Sequence, residues 1–108
     1  MQKCTEADID CIVTEAMALP DVNDITCHTA YYCVAWDDNN EDLCIVVAIN
    51  KWHYGDNDDK FDIYYACDDA YDYVWHDWAY CRQSEQDLKF ALTELINGFT
   101  DDDLRREE

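Results

Sequence analysis

Residues 43–50, LCIVVAIN, leave little freedom in how this chain folds. Apolar side chains occupy both faces of this extended run. A strand of that kind must be covered on both sides, which places it in the middle of a sheet. Residues 27–36 (CHTAYYCVAW) are rich in aromatic and β-forming types and form a second strand. The polar stretch Asp37-Asp38-Asn39-Asn40-Glu41-Asp42 separates the two runs, so a hairpin follows. Residues 51–54 (KWHY) either extend the later strand or stand exposed as a dimer contact. Gly55 to Lys60 is a further turn, and Phe61–Ala66 is a third strand. The segment Asp68–Cys81 fits either period. Tyr71, Tyr73 and Trp75 alternate as in a strand, whereas Ala70, Val74 and Trp78 suit a helix. Its Tyr, Val and Trp content favours a fourth strand.

Helices flank these strands. Over residues 5–19, Ile9, Ile12, Val13, Ala16 and Met17 form one apolar stripe. Thr5 caps it with Asp8 three residues on, an acidic form of the capping box, and Pro20 ends it. Ser84 opens the second helix. Leu88, Ala91, Leu92, Leu95 and Ile96 repeat the stripe, and Gly98 suits the position just past its end. The order α-β-β-β-(β)-α predicts a two-layer α+β domain. Both helices would pack on one face of an antiparallel sheet of three to four strands. Residues 1–100 form this single domain, and residues 101–108 (DDDLRREE) follow as a charged, flexible tail.

Charge narrows the function. The chain has 108 residues, with 26 Asp+Glu against 7 Lys+Arg, a net charge of −19. Direct nucleic-acid binding needs a basic face, and an anionic membrane repels such a chain. With 49% hydrophobic residues it nevertheless has the material for a core. No run approaches the ~20 apolar residues of a membrane span, and no signal-peptide pattern opens the chain. Seven cysteines without a CxxC pair point to a cytoplasmic protein with reduced, mostly buried thiols.

Familiar sites do not assemble. Cys27-His28 is adjacent rather than spaced, and no cysteine pair has zinc-knuckle spacing. Asp56, Asp58 and Asp62 begin like a calcium loop. However, Phe61 stands where that loop needs glycine and Cys67 where it needs glutamate. Cys33 or Cys81 with His28, His53 or His76 is a weak nucleophile candidate in a chain with so many acids. There is no nucleophile elbow, phosphate-cradling glycine loop or HExxH. No cofactor or metal is expected, and the chain is read as a non-enzyme.

The acids themselves are clustered: Asp37, Asp38, Glu41 and Asp42; Asp56, Asp58, Asp59 and Asp62; Asp68, Asp69, Asp72 and Asp77; and Asp101–Asp103 with Glu107 and Glu108. The first three clusters flank strands and can converge on one side and on the loops of one sheet. Residues i and i+2 of a strand are about 6.6–6.8 Å apart on one face, so aspartates on neighbouring strands can imitate phosphate spacing. Asp outnumbers Glu 19 to 7, and its short side chain holds the charge close to the backbone. A solubility surface needs a net charge of only about 2–8. Tyr64, Tyr71 and Tyr73 lie among the acids as possible interface anchors, while Trp75 and Trp78 are read as core.

In length, charge, aspartate bias and α/β layout, the chain resembles the small acidic proteins of phages and mobile elements that mimic DNA, such as anti-CRISPR and anti-restriction proteins. The resemblance implies an inhibitor that occludes the basic groove of a nucleic-acid-binding protein. A Cas effector subunit in the host cytoplasm is the favoured partner. An anti-restriction DNA mimic, or an acidic adaptor or chaperone shielding a basic protein, is the alternative.

Overall fold

The 43–50 run lies inside the central strand of the sheet, β3 (Cys44–Trp52), which is flanked by β2 (His28–Trp36) and β4 (Lys60–Asp68). A computed structural model describes residues 1–20, 28–52, 60–68 and 75–104. Ile45, Val47 and Ile49 of β3 point into the main core. Cys44, Val46 and Ala48 alternate to the other face and are also buried, as expected for a strand that is apolar on both sides.

The sheet is an antiparallel meander of five strands, β1 to β5 in chain order, rather than three to four. The additional strand is β1 (Gln2–Lys3), which pairs with Trp36 and Ala35. Two residues carry no periodicity, so this strand could not be read from the sequence. The expected fourth strand is β5 (His76–Arg82). Residues 69–74, which begin the ambiguous segment, lie outside the described residues. Register breaks between Cys33 and Ala35 and between Ile63 and Tyr64 mark bulges, which bend and twist the strands.

Helix α1 (Glu6–Met17) has the expected capping box. The Asp8 carboxylate accepts from the Thr5 N–H at 2.8 Å, and the Thr5 hydroxyl accepts from the Asp8 N–H at 3.2 Å. The helix ends two residues before Leu19. Lys51 is buried, not exposed, and its ammonium donates to the carbonyls of Met17 at 3.0 Å and Leu19 at 2.6 Å. It thereby satisfies acceptors that the end of α1 leaves open. Helix α2 (Glu85–Gly98) starts on Ser84, whose hydroxyl accepts from the Asp87 N–H at 3.1 Å. Gly98 is the last helical residue rather than the residue beyond it. The cap is Phe99, in extended conformation, so no left-handed glycine is needed.

Ile9, Ile12, Val13 and Ala16 of α1 meet Leu88, Leu92, Leu95 and Ile96 of α2 in one cluster with the inward residues of β2, β3 and β4. Both helices therefore cover the same face of the sheet. Lys89 ties them together at the surface, with its ammonium 3.2 Å from Glu6 and 2.8 Å from Asp10.

The tail expected to be flexible begins at residue 101. Asp101–Leu104 form a 3-10 turn, and Leu104, only 3% exposed, joins the core. Residues 105–108 lie outside the described residues. Trp75 and Trp78 are exposed rather than buried. Trp78 falls at the register break of an edge strand, where only Ala79 and Cys81 turn partly inward. The thiols are also less buried than expected. Among the described cysteines, Cys44 is buried, Cys11 and Cys33 are exposed, and the others are half-buried.

Candidate acidic interface

The register of the meander gathers acids at one end. Gln2 pairs with Trp36, Trp36 with Cys44, and Cys44 with Asp68, which sets four strand ends in a row. The turn joining β2 and β3 projects from this row and carries Asp37, Asp38, Glu41 and Asp42. It closes through Asp37 N–H to the Leu43 carbonyl at 2.9 Å and Leu43 N–H to the Asn40 carbonyl at 3.0 Å. The Asn40 side chain accepts from the Asp42 N–H at 3.2 Å. Asp38, Asp42 and Glu41 are thus exposed on a turn held by its own hydrogen bonds.

The 3-10 turn arrives at the same end. The Cys67 thiol donates to the Leu104 carbonyl at 3.3 Å, next to Asp68 in β4. The Asp103 carboxylate accepts from the Thr100 N–H at 2.7 Å and fixes the start of the turn. The amine of Met1 lies between the two acidic turns, 2.8 Å from Asp38 and 3.4 Å from Asp101. It holds the Asp38 carboxyl below its ordinary value and is itself raised, chiefly by the Asp38 hydrogen bond. Lys3, one residue further in, donates to the Asn97 carbonyl at the end of α2.

One end of the sheet therefore carries Asp37, Asp38, Glu41, Asp42, Asp68, Asp101, Asp102 and Asp103. Asp101–Asp103 stand outside the three strand-flanking clusters that the sequence singles out for the binding surface. The signal that places them was Leu104, the one apolar residue of DDDLRREE.

Of the other two strand-flanking clusters, only Asp62, Asp68 and Asp77 are among the described residues. Asp56, Asp58 and Asp59 lie outside the described residues, and the pair they connect, Trp52 and Lys60, is at the opposite end. Lys60 in turn faces Arg82. Asp69, Asp72, Tyr71 and Tyr73 also lie outside the described residues.

Asp62 and Asp77 belong to the sheet face opposite the helices. Asp77 is exposed on β5 across from Tyr64, which is half-buried. Asp62 is buried, and burial raises its pKa while the Trp52 indole and Lys60 charge act against that rise. Exposed rings also lie here: Tyr80 stands directly opposite Asp62, and Tyr31 packs against Trp75 at 6.0 Å.

An open cleft of about 450 Å³ lies between α1 and β2, lined by Cys4, Asp8, Ile12, Tyr31, Tyr32, Cys33 and Trp36. Its one carboxylate, Asp8, is already engaged in the capping box. Burial raises the Cys4 thiol, and burial beside Glu15 pushes the Tyr32 hydroxyl up to about 12. Cys81, a candidate nucleophile by sequence, is pushed up to about 11 by burial and remains a thiol at neutral pH. His76 stacks on Tyr65 at 5.1 Å. Among the described residues, no three His, Cys, Asp or Glu side chains come together to hold a metal, and no helix is long and apolar enough to cross a membrane. No protein-family model, curated protein or solved structure matches this chain.

Proposed function

We propose that this chain is a non-enzymatic inhibitor whose acidic end takes the place of nucleic-acid phosphates in the basic groove of a partner protein. The partner we favour is a Cas effector, met in the host cytoplasm and blocked from binding its target DNA. This would make the chain an anti-CRISPR protein. The supporting observation is the gathering of eight acidic residues at one end of the sheet from three separate chain segments. Two of those segments are tight turns fixed by hydrogen bonds, so the carboxylates are held in place before binding. Preorganised charge costs little ordering entropy on association. It also steers a basic partner, raising association rates by about 10- to 1,000-fold in a salt-dependent way.

The test is competition on a purified effector complex. The protein should displace target DNA, lose potency as salt rises, and lose at least 10-fold in affinity when Asp37, Asp38, Asp101 and Asp102 are all changed to Asn. Simultaneous binding of DNA and this protein at unchanged affinities would refute occlusion. Tight binding to a basic protein without any block of DNA processing would favour an acidic adaptor or chaperone.

A further inference from the structure

β2 is covered on its outer side over only part of its length. β1 pairs with Trp36 and Ala35, and the Cys4 N–H adds one bond to the Val34 carbonyl at 2.9 Å. The chain then leaves the sheet, because Thr5 caps α1. Among the described residues, no strand pairs with His28–Cys33 on the side away from β3. Along such a stretch every second residue turns its N–H and C=O outward, a template for one more extended segment.

The cleft of about 450 Å³ beside α1 runs along this edge. Its walls establish that. Residues directly opposite each other in an antiparallel pair share a face. Tyr31, Cys33 and Trp36 stand opposite Ala48, Val46 and Cys44, and so belong to the face turned away from the helices. Tyr32 stands opposite Val47 and packs against the main core, on the helix face. Ile12 and Asp8 of α1 close the helix side. A cleft walled by both faces of one strand lies at the edge of that strand.

The surrounding groups define the occupant. The Thr5 bonds hold the Asp8 carboxyl below its ordinary value, so it is charged at neutral pH, and Glu15 stands beside the Tyr32 hydroxyl. A second copy of this chain would bring a further −19 to these acids, whereas a basic segment brings the complementary sign. Tyr31, 64% exposed, and Trp36 offer rings on which the stem and charge of Lys or Arg can lie. Ile12 and Tyr32 offer apolar contact on the other side.

We propose that the β2 edge from Thr29 to Cys33 takes up an extended basic segment of a partner protein, which adds a strand to the sheet in the cleft beside α1. Apolar side chains of the segment face Ile12 and Tyr32, and the alternate basic ones lie over Tyr31 and Trp36. Main-chain bonds supply affinity and the alternating side chains supply selectivity. This surface goes beyond the acidic end and does not depend on that end acting as a DNA mimic.

The test uses the full chain and three synthetic probes. These are an octapeptide of alternating valine and lysine, the same peptide N-methylated at every residue, and a counterpart with glutamate in place of lysine. The valine–lysine peptide should bind saturably, at least 10-fold more tightly than its N-methylated form, which has the same charge but no backbone donors. Amide exchange within residues 29–33 should slow on binding, and the glutamate peptide should not bind. Tyr31→Ala, at an exposed position outside the main core, should weaken the valine–lysine peptide several-fold. Equal affinity for the plain and N-methylated peptides would show attraction by charge alone and overturn the proposal. Slowed exchange on β5 instead of β2, or unchanged affinity in Tyr31→Ala, would overturn the cleft as the site. Protection of residues 29–33 that grows with protein concentration in the absence of peptide would make a second copy the occupant and overturn the basic segment. All these results leave DNA competition by the acidic end intact, and failed DNA competition leaves the peptide titration standing.

Discussion

Leu104→Ala separates the amount of charge on this protein from its placement. The substitution leaves the net charge at −19 while removing the apolar anchor of the turn that carries Asp101, Asp102 and Asp103. Leu104 is buried in the core, and its carbonyl accepts from the Cys67 thiol. Loss of the equivalent of three methylene groups at about 0.8 kcal/mol each comes to roughly 2.4 kcal/mol. A rigid core site would add a cavity cost and reach about 2.7–5 kcal/mol. Leu104 follows the last long helix, so its turn can detach alone and limit the loss to its own docking energy. The expected loss is therefore near the lower figure, about 2 kcal/mol, or roughly 8–16 °C in Tm for a domain of this size. Urea unfolding measures the loss. Amide exchange at Asp103, whose N–H donates to the Thr100 carbonyl at 2.9 Å, reports whether the turn has let go. Affinity for the partner should fall several-fold at unchanged net charge. A stability loss below about 0.5 kcal/mol, with unchanged Asp103 exchange, would refute the packing. Detachment of the turn with undiminished partner affinity would show that fixed placement of these three carboxylates is irrelevant to binding.

Lys51→Met should cost about 2–3 kcal/mol by chemical denaturation, because two charge-assisted bonds to the end of α1 are lost. An unchanged midpoint would refute that role. Asp62 has a folded pKa raised above its ordinary 3.8, so the folded state holds the proton more tightly. Stability should then fall as pH rises from 3.8 through the folded value. Asp62→Asn should remove that slope and raise stability at neutral pH, as measured by urea titrations between about pH 4 and 7. The Met1 amine is raised from 8.0, so its contribution is full below pH 8 and is lost as pH climbs through the folded value. Asp38 is lowered from 3.8, and its contribution disappears as pH falls through its folded value. Asp38→Asn should flatten both slopes, and persistence of the alkaline slope would assign it to another group.

The legible parts of the fold were the local ones. Thr5 with Asp8, and Ser84, announced their helices because a cap is satisfied within three residues. The stripes of α1 and α2 were readable because each helix has one covered face. The parts that were not legible depend on distant contacts. Nothing in Gln2-Lys3 signals a strand, since its partners are Trp36 and Ala35. Gly98 has the composition of a left-handed cap, but the chain continues into Phe99, whose ring packs against Tyr65 at 5.3 Å. Asp62 sits between Lys60 and Tyr64 on alternating positions of β4 and reads as solvent-facing, although its neighbours across the sheet bury it.

The site was half legible for a reason rooted in topology. In an antiparallel meander, each connection lies at the opposite end from the one before it. The turn between β2 and β3 and the end of β4 therefore share an end, and their acids meet. Trp52, Lys60 and Arg82 stand together at the other. Clustering along the chain could not make that distinction; strand parity could. Parity also places Lys51, Lys60 and Arg82 at the far ends of β3, β4 and β5, so at the acidic end the described cations are the Met1 amine and Lys3. If the chain binds a basic groove as proposed, the fixed carboxylates of Asp38 and Asp101 beside the Met1 amine are where that groove would be steered.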